Sequence, residues 1–225
     1  MKLHILYCCR NEIQVDAFRG LMMASVDAAD YWKSRFGKES TVEIKVAARM
    51  HVVDGRAKLT EDAINEGADY VMWFDDDMLP PVDTVERLMK RLDEDPALDY
   101  VGALAYKKNA PYGPCAFVAP ADRDSNNWVR RLPERVQPVG ITGFACLLCR
   151  VPSLKKVWDA TEGHPFVYTK HCGEDAYFFN RAADIGQRVA VDTSVVVGHV
   201  GTHVVDSSTF EEYLKHHPEI EARLA

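Results

Sequence analysis

The sequence predicts an α/β protein built on a nucleotide-binding type of sheet flanked by helices. Runs such as Val71-Met72-Trp73-Phe74 are apolar without polar alternation, as strands buried on both faces read. Between such runs lie segments whose apolar residues recur at helical spacing. Through the first half of the chain the two kinds alternate, which implies right-handed parallel crossovers.

A first strand is expected over residues 3–7, and Cys8-Cys9-Arg10-Asn11-Glu12 forms the loop leaving its carboxyl end. Ile13, Ala17, Leu21, Ala24, Ala28 and Tyr31 share one helix face, and Phe36-Gly37-Lys38-Glu39 supplies the stop. A second strand spans 41–47. Asp54-Gly55-Arg56 reads as a turn, and Thr60-Glu61-Asp62 as the start of a short helix ended by Gly67. The apolar strand at 71–74 follows and runs into Asp75-Asp76-Asp77. Pro80-Pro81 opens an amphipathic helix over 82–92, with Val82, Val85, Leu88, Met89 and Leu92 on one face. A buried strand covers 100–106.

The second half is less regular. Residues 107–138 are rich in Pro, Asn, Asp and Arg and read as a long loop or hairpin insertion, a length that is usually functional. A strand returns over 139–149, Val151-Pro152-Ser153 opens a helix through Trp158, and another helix covers 174–185. Residues 188–197 read as a strand pair ending at Gly198-His199, and 211–224 as a terminal helix. There is no internal repeat or low-complexity tract. The 225 residues suit one domain in four segments: 1–106, the insertion over 107–138, 139–203 and a C-terminal helix over 204–225.

Composition narrows the class. Hydrophobic residues at 47% exclude a largely disordered chain, and no apolar run reaches the roughly 18 residues of a membrane span. The chain goes from Met1-Lys2 straight into Leu3-His4-Ile5-Leu6-Tyr7, too short and interrupted for a secretory signal, which predicts a cytoplasmic protein without membrane insertion. A formal charge of −7 argues against a chain-wide nucleic-acid footprint. The six cysteines sit largely in apolar sequence and read as reduced core thiols; Cys146 and Cys149 have half the spacing of a zinc site but no second pair.

Three features carry chemistry. Acids at the carboxyl end of a buried strand stand where open α/β sheets bind ligands. If the extended geometry persisted, Asp75 and Asp77 would point to one side, repelling each other unless a cation lay between them. The alternative is that they solvate the sheet edge and favour the next helix. Glu174-Asp175 open a helix after Gly173, as a general base or as simple capping residues. His199 follows a β-branched run between Gly198 and Gly201, as a metal ligand or as a satisfied surface imidazole.

Taken in order, Arg10-Asn11-Glu12 after a strand, Arg56 before a helix, Asp75-x-Asp77 on a strand, Gly143-Phe144, Gly173-Glu174-Asp175 and Gly198-His199 resemble the GT-A glycosyltransferases, especially the small family 2-like enzymes of bacteria and phages. The resemblance covers roughly residues 3 to 201. It implies a GT-A, Rossmann-like nucleotide-diphospho-sugar transferase fold with a mixed sheet, in which 1–106 would be the nucleotide-sugar-binding half, 107–138 an acceptor loop and 139–203 the catalytic and acceptor half. It further implies Mn²⁺ or Mg²⁺ held by Asp77 with Asp75 and His199, and a UDP- or GDP-sugar donor contacted by Arg10, Asn11, Glu12, Asp54, Arg56, Lys58, Asp75 and Asp76. Asp175 would be the base, assisted by Glu174. Two positions depart from the family pattern: the first loop lacks a common Pro, and Asp76 is acidic where a small polar residue is usual.

The insertion carries Lys107, Lys108, Arg130 and Arg131 interleaved with Trp128, either as a solvated loop whose basic residues balance acids such as Asp122 and Asp124 or as a platform suited to a polyanionic acceptor such as an acidic glycan or DNA bearing hydroxylated bases; Gly143 is a further acceptor-side candidate. Competing classes are a metal-dependent phosphatase, a nucleotidyltransferase and a non-catalytic nucleotide-sugar-binding module. The phosphatase pattern wants a hydroxyl residue or Val where this chain has Leu79, and the pyrophosphorylase type wants an N-terminal glycine-rich loop that is absent.

Overall fold

The computed structural model describes residues 1–9, 12–117, 136–201 and 204–223. In chain order the elements are β1 Lys2–Cys9, α1 Val15–Phe36, β2 Thr41–Ala48, α2 Val52–Asn65, β3 Tyr70–Asp75, β4 Met78–Leu79, α3 Thr84–Glu94 and β5 Tyr100–Ala105. There follow β6 Ala116–Phe117, β7 Val136–Val139, β8 Ile141–Thr142, β9 Cys146–Arg150, α4 Val151–Ala160, α5 Glu174–Asp184, β10 Val189–Val200, β11 Val204–Val205, α6 Ser207–His216 and a 3₁₀ turn at Pro218–Arg223.

The main sheet runs β11-β10-β5-β9-β3-β1-β2, with β4 and β7 also pairing with β10. Strands β2, β1 and β3 are parallel, as are β5 and β10. Alternation through the first half implies parallel crossovers, and the second half adds an antiparallel strand: β9 lies between β3 and β5, antiparallel to both. An apolar run such as Cys146-Leu147-Leu148-Cys149 satisfies a site buried on both faces in either direction, so its sequence does not encode its orientation.

Period-2 alternation sorts the core. Leu3, Ile5 and Tyr7 of β1 face the layer holding Leu21 and Trp32 of α1 and Leu88 of α3, while Leu6 faces the opposite layer with Leu59 of α2, Leu154 of α4 and Phe178 of α5. Phe144, Phe166 and Phe178 interlock in the second layer, their ring centroids 4.8–5.2 Å apart. All six cysteines are thiols, and Cys146 and Cys149, three positions apart on a strand, fall in opposite layers.

Five local expectations change. Asp54-Gly55-Arg56 is not a turn but lies inside α2. A Cβ at Gly55 would lie 2.6 Å from Cys8 Sγ, so this glycine serves the close approach of α2 to β1 rather than a chain reversal. The strand expected over 139–149 is broken at Gly143-Phe144-Ala145. The expected strand pair at 188–197 is one strand, β10, whose register shifts between Asp192 and Val196. The last helix starts at Ser207 because Asp206 accepts from the Ser208 and Thr209 amides and forms a capping box with Thr209. Val82 also departs from its expected face: it precedes α3 and is exposed, whereas Val85, Leu88, Met89 and Leu92 are buried. Among the described residues, no helix is long and apolar enough to cross a membrane.

Candidate active site

Strand β3 delivers the acids to the carboxyl end of the parallel strands. Its extended geometry stops at Asp75, and Asp76-Asp77 turn into β4, so Asp75 and Asp77 do not project together. Asp75 bonds Arg56, whereas Asp77 bonds His199 and Lys108. Register explains the second contact. His199 of β10 pairs with Met78 of β4, and the Val200 amide donates to the Asp77 carbonyl at 2.7 Å, which seats the imidazole beside the Asp77 carboxylate.

Arg56 organises the other half of the site. Helix α2 sends its guanidinium inward, where Nη1 donates to Glu174 Oε1 at 2.8 Å and to Asp175, and Nη2 donates to Asp75 Oδ1 at 2.9 Å. The Phe144 ring lies 5.1 Å from the guanidinium carbon. Glu174 and Asp175 occupy the first turn of α5, but the N-cap is Gly173 and has no side-chain cap. Both acids turn to Arg56, and Asp175 also accepts from the Phe144 amide, while a Cβ at Gly143 would lie 3.6 Å from Asp175 Oδ2.

One cation thus faces three carboxylates, and the balance is uneven. Burial raises the Asp175 carboxyl, Arg56 opposes that, and the Glu174 and Asp75 charges add to it, leaving Asp175 pushed up to about 7. A carboxylate poised near neutrality is suited to accept a proton. Asp77 is the opposite case. Burial would raise it, but His199 and Lys108 outweigh burial and hold it below its ordinary value.

His199 Nδ1 lies 2.7 Å from the Tyr106 carbonyl, which can only accept, so Nδ1 carries the proton and Nε2 faces Asp77 Oδ2 at 3.1 Å. Burial lowers the imidazole and Asp77 raises it by more, so the net direction is upward. This donor set suits a divalent ion. An imidazole oriented by a carbonyl and an adjacent carboxylate is a common ligand arrangement, and adjacent ligands on an octahedral ion with bonds of ~2.1 Å lie about 3.0 Å apart.

The site borders a cleft of about 290 Å³ lined by Cys8, His51, Arg56, Asp75, Asp76, Asp77, Tyr168, Glu174 and Asp175, among others. His51 and Tyr168 were not indicated by the sequence. Their rings meet edge to face at 5.5 Å, and the Tyr168 phenol is pushed up to about 12 by burial and by Glu174. Tyr168 comes from an aperiodic stretch between α4 and α5 and His51 from the residue before α2, so no pattern marks either.

Several candidates lie apart from the cleft lining. Asp54 and Lys58 sit two positions either side of Arg56, about 200° around the helix, and are exposed; Lys58 pairs with Asp62 at 2.5 Å. Glu12 is exposed. Lys107 lies over the Phe117 ring at 5.7 Å. Arg10, Asn11, Trp128, Arg130 and Arg131 fall outside the described residues.

No family model and no curated protein matches the sequence. Among solved structures, A197 from STIV aligns over 89% of this chain and 86% of its own, with a TM-score of 0.62 and 16% identity. GalNAc-T7, solved with UDP, GalNAc and Mn²⁺, aligns over 95% of this chain with a TM-score of 0.56 and 9% identity. The fold is GT-A. The chain spans about half of GalNAc-T7, 47% of that chain. Within this GT-A framework the cleft opens at the carboxyl ends of β1 and β3, with α5 and the end of β10 closing on it.

Proposed function

We propose that the protein is a metal-dependent glycosyltransferase that moves a sugar from a nucleotide-diphosphate donor to an acceptor hydroxyl with inversion. The observation that carries this reading is the meeting, in a GT-A cleft, of Asp175 with a carboxyl pushed up to about 7 and an Asp77–His199 pair whose donor set suits a divalent ion. The structural neighbour solved with UDP, GalNAc and Mn²⁺ supports the donor class and the ion. Asp77 and His199 would hold Mn²⁺ or Mg²⁺, and Asp75 would meet the donor ribose or share the ion. When bound, the ion neutralises charge on the departing diphosphate. Lys108, which pairs with Asp77, would be placed to turn its ammonium to the donor phosphates.

Asp175 takes the acceptor hydroxyl proton as that oxygen attacks the anomeric carbon, and the bond from that carbon to the diphosphate oxygen breaks on the opposite face. Glu174 and Arg56 fix the base. The acceptor would be a glycan or a hydroxylated base of DNA, met by Gly143 and by the 107–138 segment that holds Lys107, Trp128, Arg130 and Arg131. Incubation with Mn²⁺ and a panel of UDP- and GDP-sugars tests the reading through slow donor hydrolysis. Asp77→Ala should abolish that hydrolysis and the Mn²⁺-dependent part of donor affinity, and His199→Ala should weaken both. Unchanged hydrolysis in excess chelator would overturn metal dependence; cleavage of simple phosphate esters instead of sugar donors would favour a phosphatase.

A further inference from the structure

At the end of the sheet remote from the cleft, an imidazole is buried without a hydrogen-bond partner among the described residues. His4 is 0% exposed, interrupts the apolar run of β1, and makes no hydrogen bond through either ring nitrogen among the described residues. Leaving a buried polar group unsatisfied costs roughly 1–3 kcal/mol. On β1 it alternates with Leu3 and Ile5 and therefore faces α2, as Leu6 does.

Two carboxylates meet it there. Glu43 is its register partner on β2, and Glu66 is the C-cap of α2. His4 Nε2 lies 3.9 Å from Glu43 Oε2 and 3.7 Å from Glu66 Oε2, and the potential ligand atoms of all three residues fall within 4.8 Å of one another. Ligands of a tetrahedral ion with bonds of ~2.0–2.2 Å stand about 3.3–3.6 Å apart, so contraction by a few tenths of an ångström brings the imidazole and each carboxylate to that spacing. The glutamates are 38% and 39% exposed, which leaves an entry path on the side away from His4. A cationic group already bridges them: Lys45 Nζ lies 3.1 Å from Glu43 Oε2 and 2.6 Å from Glu66 Oε2, while Lys2 Nζ lies 3.1 Å from Glu43 Oε1. Burial, the largest influence on His4, lowers its pKa and keeps the ring neutral, the form that ligates.

We infer that His4, Glu43 and Glu66 form a second divalent-metal site of the zinc class, at which Lys45 occupies the cation position until the ion displaces it. Its consequence is structural: the ion ties the start of β1 to β2 and to the end of α2, the helix that carries Arg56. The site shares no residue with the cleft, so it stands or falls apart from the glycosyltransferase reading.

Equilibrium dialysis of the full chain against Zn²⁺ alone, with thermal unfolding followed in parallel, tests it. The wild type and the Asp77→Ala/His199→Ala variant should both bind an equivalent that Glu43→Gln/Glu66→Gln weakens by at least about 100-fold, more than loss of an outer-shell partner does. Zn²⁺ should raise the unfolding temperature of the Asp77→Ala/His199→Ala variant, and should no longer do so once Glu43→Gln/Glu66→Gln are added to that background. Lys45→Met, which removes the competing ammonium, should tighten binding about 10-fold. His4→Leu should abolish it; should that variant fail to fold, the two substitutions at exposed carboxylates and the one at Lys45 still decide. Zn²⁺ affinity indifferent to Glu43→Gln/Glu66→Gln, or weakened by Lys45→Met, overturns the inference.

Discussion

Two arginine–aspartate clusters in this molecule use the same groups to opposite ends. Asp192 is completely buried in the bulge of β10, where Arg91 Nε donates to Oδ2 at 2.7 Å and the Ser194 amide and hydroxyl donate to Oδ1 at 2.9 and 2.6 Å. Burial would raise its carboxyl, but these donors outweigh burial and hold it below its ordinary value. Asp175 shares the Arg56 guanidinium with Asp75 and Glu174, and is pushed up to about 7. Among the described residues Arg91 shares its guanidinium with only one other carboxylate, the exposed Glu94 at 2.8 Å, and Ser194 completes the shell of Asp192, which makes a fixed joint. Three per guanidinium leave uncompensated negative charge, and a cleft holding such charge is ready to take a proton or a cation.

Replacing each aspartate should separate these roles, and the largest effect falls on turnover. Asp175→Asn keeps shape and removes basicity, so transfer should fall by about 10²–10⁴-fold while donor binding and the unfolding transition persist. Near wild-type transfer with an unchanged donor isotherm would make Asp175 structural. Asp192→Ala should do the reverse: it leaves Arg91 Nε and the Ser194 amide and hydroxyl without their acceptor, with Glu94 the remaining carboxylate on Arg91, and should cost about 3 kcal/mol in urea unfolding, with donor binding kept at temperatures where the protein stays folded. If Asp192→Ala is neutral to stability, the joint is not what holds the bulge.

pH dependence sharpens the same contrast. As Asp175 is raised in the folded state, the native protein binds more protons than the unfolded chain between the ordinary 3.8 and about 7, so its contribution to stability is intact below 3.8 and is lost as pH rises through about 7. Asp192 is lowered, so its contribution is present above its unfolded value and is lost as pH falls through the folded one. Urea midpoints measured from pH 4 to 9 should therefore rise for Asp175→Asn relative to wild type towards the alkaline end. Donor-to-acceptor transfer should climb through about pH 7 as the base ionises. A flat rate profile between pH 6 and 8 would remove Asp175 as the titrating base.

Much of this contrast was legible in the sequence and some was not, for reasons of range. Apolar continuity marked β3 and its acids, and β-branched residues followed by Gly198-His199 marked the end of β10, because those signals are local. The partners were not local: Arg56 meets residues 118 and 119 positions away, and Arg91 meets Asp192 at a separation of 101. Nothing in the composition of 107–138 or of 161–173 indicates which side chain, such as Tyr168, turns into the cleft. Gly55 was misread for a related reason. A glycine beside Asp and Arg has the composition of a turn, and the close approach it serves is to Cys8, on another element.

That glycine supplies the smallest expected effect and a direct check on how Arg56 is positioned. In a helix interior Ala is favoured over Gly by about 1 kcal/mol, so Gly55→Ala should stabilise α2 if nothing opposed it. Here the added methyl would lie 2.6 Å from Cys8 Sγ and 3.3 Å from Ala47 Cβ, so α2 must move away from β1 or Cys8 must turn. Overpacking costs about 1–3 kcal/mol, which cancels or reverses the gain. The expected result is a loss of about 1 kcal/mol together with reduced transfer, because moving α2 moves the guanidinium that holds Asp75, Glu174 and Asp175. Cys8→Ala in the same chain removes the opposing sulfur and should recover most of both losses. If Gly55→Ala is stabilising by the full helix-propensity gain and leaves transfer intact, the contact with Cys8 does not set the position of Arg56.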